Sequence, residues 1–272
     1  MKKRIASATL LLLVVSFLFY GCKKWDDLFP GNNNTGSLEV KSCVITSLRQ
    51  TWGGEPDVAN GTFNYNALGQ PVSILFDQPG GTGRPGMYFF RYDAQHRLSD
   101  FIEAFDSTSY DSWHVYVYNA KGQIVQDSVY TWGEINGHHP SETAYFGPSY
   151  TNYAYDDQNR MIKATNYIEE EVSASGSYVY VYNSAGNVAA YRGDGYEPRA
   201  NAVYDNKINV NRTNKIWMFL SRDYSRNNLV PAVSYNEKGL PLAFPSGYYL
   251  PFFTTLSDPG PARFDYSCSG SN

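Results

Sequence analysis

Charge, histidine and cysteine are scarce in this sequence. Charged residues make up 18% of the 272 positions, and there are only 4 His and 3 Cys, whereas globular proteins usually have about 25% charged residues. The net charge of −4 comes without the basic stripe that nucleic-acid binding requires. We therefore expect no nucleic-acid partner.

Motifs of catalysis and cofactor binding are also missing. The sequence contains no HExxH, no GxSxG, no Walker loop and no Cys-x-x-Cys pair. His138 and His139, with Glu134 and Glu142 nearby, have the composition of a surface metal site. Adjacent residues of an extended chain point to opposite sides, however, and "NGHHP" is typical of a turn. We predict no catalytic residue, no metal site and no cofactor.

Long apolar runs are limited to the N terminus. Three basic residues (2–4) precede an apolar run over residues 5–20, and Cys22 follows shortly after. The run is shorter than the roughly 20 residues that span a bilayer, so it is typical of a secretory signal peptide rather than of an uncleaved anchor. We predict a signal peptide over residues 1–21.

The sequence "LFYGC" resembles a bacterial lipobox, in which the Cys is acylated and becomes the first residue of the mature protein. Phe19 and Tyr20 depart from the strict pattern in a way that is familiar in Bacteroidota-type lipoproteins. The resemblance implies lipidation of Cys22, with a palmitate-type chain, and attachment to the outer membrane.

A polar, Asn-rich stretch follows Cys22, and its Pro and Gly predict a flexible tether over residues 22–37. Asp26 and Asp27 resemble an acidic export signal, which favours the cell-surface face over the periplasmic face. An ordinary polar linker is the alternative.

What the sequence has in abundance is tyrosine, 24 residues, and much of it belongs to a repeat. The repeat reads Tyr, Asn or Asp, two variable residues, usually Gly, one more variable residue, then an apolar residue or Pro. Copies begin at Tyr65, Tyr92, Tyr118, Tyr155, Tyr182 and Tyr235, with a degenerate copy, "YDNKINV", at Tyr204. The unit is about 26–27 residues long, and such a fixed period indicates a repeat architecture.

Each copy predicts a β-hairpin. Tyr178 and Tyr180 alternate with Val179 and Val181, which is the period of a strand. The Asn or Asp opens a four-residue turn, and a residue in the left-handed conformation closes it. The closing positions hold Gly69, His96, Gly122, Asn159, Gly186 and Gly239. His and Asn are among the few other residues that adopt positive φ, so we interpret His96 as a turn residue rather than a ligand.

Seven such units predict an all-β fold, an antiparallel β-meander of about 14 strands over residues 38–272. A sheet this wide must pack on itself, close into a barrel or form a curved sheet with covered edges. A disulfide between Cys43 and Cys268 would favour closure, and two unpaired thiols are the alternative.

The Tyr-Asp/Asn-x-x-Gly units resemble the YD repeats of Rhs-type and wall-associated surface proteins. Over about residues 38–268, including "YDNKINVNRTNKIWMFLSRDYSRNN", the chain is more similar to a family of Bacteroidota lipoproteins that consists of a domain of unknown function with a porin-like β fold. The resemblance implies no catalytic residue. Within this stretch, "KIWMFLSRDY" predicts a strand or a short helical turn that packs Trp217, Phe219 and Leu220 inward as a plug.

For function, the sequence favours a non-enzymatic scaffold or binding module for a glycan or a surface protein. Trp52, Trp113 and Trp132 are the candidate ligand contacts, because exposed aromatic rings often mark an interface. The alternative for the aromatic rows is packing across strands. The alternative function is an envelope-associated glycan-processing enzyme, whose carboxylate pair the sequence does not reveal.

Overall fold

In the computed structural model, the described residues form fourteen β-strands of one antiparallel sheet. The structure describes residues 43–52, 58–77, 86–140, 146–168, 174–193, 203–229, 232–246 and 259–268. The strands are β1 (Cys43–Trp52), β2 (Val58–Tyr65), β3 (Pro71–Phe76), β4 (Met87–Tyr92), β5 (Leu98–Ala104), β6 (Ser109–Tyr118), β7 (Ile124–Glu134), β8 (Phe146–Tyr155), β9 (Met161–Tyr167), β10 (Gly176–Tyr182), β11 (Val188–Gly193), β12 (Ser234–Tyr235), β13 (Pro241–Phe244) and β14 (Pro259–Cys268). A 3-10 helix, Val210–Thr213, and one α-helix, α1 (Lys215–Leu220), lie between β11 and β12.

The described residues all belong to one unit, Leu38–Asn272. The predicted signal peptide, the lipidation of Cys22 and the tether over residues 22–37 lie outside the described residues and stay predictions, as does the role of the Trp52 side chain. In the described part of the chain, no helix has the length and apolar character needed to cross a membrane.

The sheet is a meander with one rearrangement. Strands β1 to β11 pair in chain order, and β14 returns to pair with β1, followed by β13 and then β12. The fold class predicted from the repeats is confirmed. The repeat turns form every second connection of the antiparallel meander, joining β2 to β3, β4 to β5 and so on to β12 and β13. They therefore all lie at one end of the sheet, which we call the turn end. The two outermost strands, β11 and β12, do not hydrogen-bond to each other.

The predicted turns share one set of hydrogen bonds. In the third copy, Asn119 Oδ1 accepts the backbone N–H groups of Lys121 at 2.9 Å and Gln123 at 3.0 Å, and the N–H of Gly122 donates to the Asn119 carbonyl at 3.0 Å. All six closing residues have φ between 58° and 82°. The side chain that opens the turn therefore holds the backbone in place while the closing residue reverses it.

The repeat Tyr joins neighbouring hairpins. The hydroxyl of Tyr118 donates to the carbonyl of Leu98, six residues after Tyr92, at 2.8 Å. The same relationship links Tyr92 to Pro71, Tyr155 to Ile124, Tyr182 to Met161, Tyr204 to Val188 and Tyr266 to Pro241. Each of these carbonyls lies just after the repeat turn, beside a register shift in the ladder where a β-bulge disrupts regular pairing. The phenol thus satisfies a backbone acceptor at the irregular point of every hairpin.

Residues 203–229, which we call the capping segment, pack against one face of the sheet, the inner face. In α1, Trp217 contacts Phe63 of β2 with ring centroids 5.7 Å apart, and Phe219 contacts Tyr153 of β8 at 5.3 Å. In a flat sheet, β2 and β8 would lie six strand spacings apart, about 29 Å at about 4.8 Å per strand. A helix of six residues reaches strands this far apart only because the sheet curls around it. The plug predicted for this segment is therefore a short helix.

The capping segment also bridges the two outermost strands. Asn227 and Asn187, the residue before β11, exchange hydrogen bonds of 2.9 and 3.0 Å. On the other side, the hydroxyl of Tyr235 in β12 donates to the Asp205 carboxylate. Asp205 belongs to the degenerate repeat copy, whose opening side chain still accepts the N–H of Lys207 at 3.0 Å. Side-chain hydrogen bonds therefore close the curled sheet where a strand ladder does not.

Cys43 and Cys268 are joined by a disulfide. They are Cα partners in the antiparallel pairing of β1 with β14. Because β1 begins beside the end of β2, the disulfide lies at the turn end of the sheet. It links the first and last strands, which are neighbours inside the sheet rather than its outermost strands.

Candidate functional site

A cavity of about 620 Å³ opens at the turn end. Its wall is formed by the turns after β2, β4, β6, β8 and β10 on one side and by residues 212–226 of the capping segment on the other. We call it the mouth cavity. Its volume lies within the roughly 300–1,000 Å³ of typical small-molecule sites.

The lining combines aromatic rings with polar groups that form hydrogen bonds. Tyr92, Tyr118 and Tyr155 come from three successive repeats, and Tyr224 comes from the capping segment. Amide side chains come from the same turns, namely Gln70, Gln123, Gln158 and Asn159. Aromatic rings pack against the apolar faces of a ligand, and amides both donate hydrogen bonds to hydroxyl groups and accept them, so this lining suits polyhydroxylated ligands such as sugars.

Two arginines of the rim are held by their own turns. Arg160 Nη2 lies 2.6 Å from Asp156 Oδ2, and the guanidinium carbon lies 4.1 Å from the centroid of the Tyr182 ring. Arg97 is held in the same way by Asp93 at 2.7 Å and by the ring of Tyr118. Burial raises the pKa of the Asp93 and Asp156 carboxyls. The hydrogen bonds and the arginine charges lower it by more, so that the pKa of both carboxyls lies below the usual range.

Two of the Asn-type turns use a neutral version of this contact. Asn66 Nδ2 donates to Gln70 Oε1 at 3.0 Å, and Asn119 Nδ2 donates to Gln123 Oε1 at 2.8 Å. Gln123 Nε2 in turn donates to Asn159 Oδ1 of the next repeat at 2.8 Å. In these four turns the opening residue and the fifth residue are therefore matched in charge, Asp with Arg and Asn with Gln. This pairing orders the cavity wall.

A second polar cluster lies on the inner face, among β5 to β8 and the capping segment. His114 Nδ1 lies 3.0 Å from both oxygens of Asp127, and the Tyr153 hydroxyl donates to Asp127 Oδ2 at 3.2 Å. The guanidinium of Arg222 lies 5.6 Å from the Tyr153 ring centroid. Burial opposes a charge on His114, but the charges of Asp127 and Glu103 outweigh it and raise the pKa of His114. Burial raises the pKa of Glu103.

The inner-face cluster brings two carboxylates, Asp127 and Glu103, close to the imidazole of His114. Neither Asp127 nor Glu103 lines the mouth cavity. The cluster anchors Arg222, which ends α1 in the left-handed conformation at φ 49°. Its position indicates that it fixes the capping segment against the sheet.

The three predicted tryptophan contacts have different outcomes. Trp132 is 55% exposed and lies in β7, where its φ is 55°. The ring is held by a 2.9 Å hydrogen bond from Nε1 to Asp111 Oδ1. Positive φ is rare for a bulky residue, and such strain concentrates at functional positions.

The prediction that Trp113 contacts a ligand is wrong. Its side chain is fully buried on the outer face, donates from Nε1 to Asp100 Oδ1 at 2.9 Å and is covered by the guanidinium of Arg91. Residues that follow β7 cover the cluster of buried side chains around Trp113. Arg91 also donates to the Gly137 carbonyl at 3.1 Å, and Ile135 packs against the cluster.

Sequence reasoning missed the mouth cavity and the inner-face cluster. The turn residues His96, Gly122, Asn159 and Gly186 do line the cavity, so the repeat itself was a signal for its location. The pairing of Asp or Asn with Arg or Gln four residues later was a second signal. The inner-face cluster joins residues of four strands and the capping segment, and no local pattern marks it.

No protein-family model matches the chain, and no curated protein matches it. Among solved structures, the chain is similar to a porin-like protein from Bacteroides uniformis ATCC 8492, with 8% identity and a TM-score of 0.48 over 82% of this chain and 97% of that one. It is also similar to parts of TcdB2-TccC3-TEV, with 12% identity and a TM-score of 0.25 over 53% of this chain and 9% of that one. A further similar structure is TcdB2-TccC3-Cdc42, with 12% identity and a TM-score of 0.29 over 72% of this chain and 11% of that one. The family resemblance of the repeats stays a prediction, and function rests on this chain's own residues.

Proposed function

We propose that this chain is a non-enzymatic binding module of the bacterial cell envelope, anchored to the outer membrane by a lipid on Cys22, and that it binds a glycan in the mouth cavity. The cavity itself is the observation that supports this function. It combines a volume of about 620 Å³ with tyrosine rings and amide side chains from successive repeats. These groups match the apolar faces and the hydroxyl groups of a sugar.

A glycan-processing enzyme fits this site less well. Glycoside hydrolysis needs two carboxylates facing each other across a cleft, about 5–10 Å apart. Within the described residues, the side chains that line the mouth cavity include no Asp and no Glu. Asp127 and Glu103 instead face His114 on the inner face.

Trp132 is the second candidate contact. Its exposure, its strained backbone and the hydrogen bond that holds its ring favour a stacking platform on the outer face. It does not line the mouth cavity, so variants distinguish the two positions.

A glycan array probed with the full chain, purified in mild detergent, tests the proposal. The variant Gln158→Trp places a bulky ring in the cavity without changing the charge. Its matched control is Gln95→Trp, at the same turn position of the repeat that begins at Tyr92 and outside the cavity lining. Binding that is lost in Gln158→Trp and retained in Gln95→Trp supports the mouth cavity. Loss in Trp132→Ala alone places the site on the outer face, and absence of binding to every glycan overturns the glycan-binding function.

A further inference from the structure

The rim of the mouth cavity is strongly basic. Six of its lining side chains are Lys or Arg, and the lining includes no carboxylate of the described residues. They are Arg97, Lys121, Arg160, Arg212, Lys215 and Arg226. This concentration stands out because the chain as a whole has a net charge of −4.

The positive charge remains after local ion pairs are discounted. Asp93 and Asp156 neutralise Arg97 and Arg160. Lys121, Lys215 and Arg226 are exposed, and no carboxylate of the described residues forms an ion pair with them. Lys121 comes from a repeat turn, whereas Lys215 and Arg226 come from the capping segment, so the charges face the opening from both sides.

Arg226 is positioned by the repeat geometry. Its side chain lies over Gly186, where an added Cβ would come within 2.8 Å of Arg226 Nε. The backbone N–H of Arg226 donates to the Gly186 carbonyl at 3.3 Å. The closing residue of this turn therefore gives the arginine both a backbone anchor and room to extend over the turn.

We propose that the mouth cavity selects acidic glycans, oligosaccharides whose carboxylate or sulfate groups pair with Lys121, Lys215 and Arg226. This inference rests on the proposed glycan-binding function and names its ligand class. Guanidinium and ammonium groups bind such anions through charge-assisted hydrogen bonds. The amides of Gln123 and Gln158 then contact the sugar hydroxyls, and field focusing in the concave site strengthens the attraction.

Matched oligosaccharides test the charge selectivity. Oligogalacturonate and its fully methyl-esterified form share one backbone and differ in the carboxylate charge. With the full chain in mild detergent, calorimetry should give an affinity at least about tenfold higher for the acidic form. This is the difference expected if the methyl-esterified form cannot make one or two of the charge-assisted hydrogen bonds. The preference should shrink as the salt concentration rises. Equal affinity for both forms overturns the selectivity while leaving glycan binding in place, and no binding of either form overturns both.

Charge variants locate the selectivity. The rim variant combines Lys121→Gln, Lys215→Gln and Arg226→Gln. The control combines Lys163→Gln, Arg192→Gln and Arg263→Gln, three exposed residues outside the lining that remove the same charge. The rim variant should lose the preference for the acidic form, and the control should keep it. Equal loss in both variants would mean that net charge rather than the cavity attracts the ligand, which contradicts the proposal.

Two further probes separate the sources of negative charge. A sulfated galactan oligosaccharide of equal length that binds at least as well as oligogalacturonate supports selection by charge on a sugar. Inorganic phosphate that displaces either oligosaccharide at an equal concentration contradicts a glycan site, because the anion alone would then account for binding.

Discussion

Tyr116 and Tyr153 both lie on the inner face near Asp127, but only one of them bonds to it. The Tyr153 hydroxyl donates to Asp127 Oδ2 at 3.2 Å, whereas the Tyr116 hydroxyl is buried without a hydrogen-bond partner among the described residues. Both phenols have a raised pKa because burial disfavours the charged form and the Asp127 carboxylate repels it.

This difference predicts that substitution by Phe destabilises the protein at Tyr153 but not at Tyr116. Tyr153→Phe removes a bond to a buried carboxylate and should lower the free energy of unfolding by about 1.5–3 kcal/mol. Tyr116→Phe removes an unsatisfied hydroxyl and should leave stability unchanged or raise it by about 1 kcal/mol. Urea denaturation of both variants gives the two values, and an equal loss in both would contradict the role of Asp127.

His114 should make stability depend on pH. Its folded-state pKa is raised above the ordinary value of about 6.5, chiefly by Asp127 against the effect of burial. The stabilisation is therefore complete below the unfolded-state pKa and is lost as pH rises through the folded-state pKa. The melting temperature should fall as pH rises above about 6.5, and His114→Gln should remove this slope. The exposed His138→Gln is the control and should keep it.

The Asp-type turn should be convertible into the Asn-type turn. Asp156→Asn or Arg160→Gln alone breaks the ion pair and should cost about 1 kcal/mol, since the pair is mostly buried. The double variant recreates the Asn119–Gln123 arrangement and should recover at least half of the loss. A double-mutant cycle measures the coupling, and additive losses would show that the two side chains act independently.

The same turn should respond to acid. Because the folded-state pKa of Asp156 is lowered, its stabilisation is present above the unfolded-state pKa of about 3.9 and is lost as pH falls towards the folded-state value. The double variant should therefore lose less stability between about pH 5 and pH 3 than the wild-type chain.

The closing residue of the turn should accept Asn more readily than Val. Gly122 has φ 74° and open space around an added Cβ, so backbone conformation alone decides the cost of a side chain. Gly122→Asn should cost about 1 kcal/mol or less, as Asn159 already occupies this position in another repeat, and Gly122→Val should cost about 2 kcal/mol. Equal melting temperatures for the two variants would rule out conformational strain.

The repeat turns could be predicted from sequence because their causes are local. A repeat turn is opened by an Asn or Asp that accepts the backbone N–H groups two and four residues later, as Asn119 does, and it is closed by a Gly, His or Asn that tolerates positive φ. Both residues are recognised within one short stretch of sequence. Tyr118 shows the limit of such a stretch. Its place in the motif is visible in sequence, but its hydroxyl acts on Leu98, twenty residues earlier, and only the pairing of hairpins brings the two together.

The error at Trp113 has a related cause. Strand alternation in the sequence shows which residues lie on the same face of the sheet. It does not show whether other segments of the chain cover that face. The residues that cover Trp113 follow β7, in the stretch where 37 residues rather than 26 or 27 separate two successive repeat tyrosines, Tyr118 and Tyr155. The basic rim likewise depends on Lys215 and Arg226 arriving from the capping segment.

The capping segment bridges β11 and β12 through the hydrogen bonds of Asn227 with Asn187 and of Asp205 with Tyr235, and we call this set of contacts the clasp. Elsewhere the strands are held by continuous backbone ladders, and β1 is tied to β14 by the disulfide as well. At the clasp, hydrogen bonds of a few amide and phenol side chains, such as Asn187, Asn227 and Tyr235, and the backbone bond from Arg226 to Gly186 hold the curled sheet closed. Under force or denaturant the sheet should unroll from this line. The mouth cavity should be the first part of the protein to open, because its lining residues Gly186 and Arg226 lie next to Asn187 and Asn227.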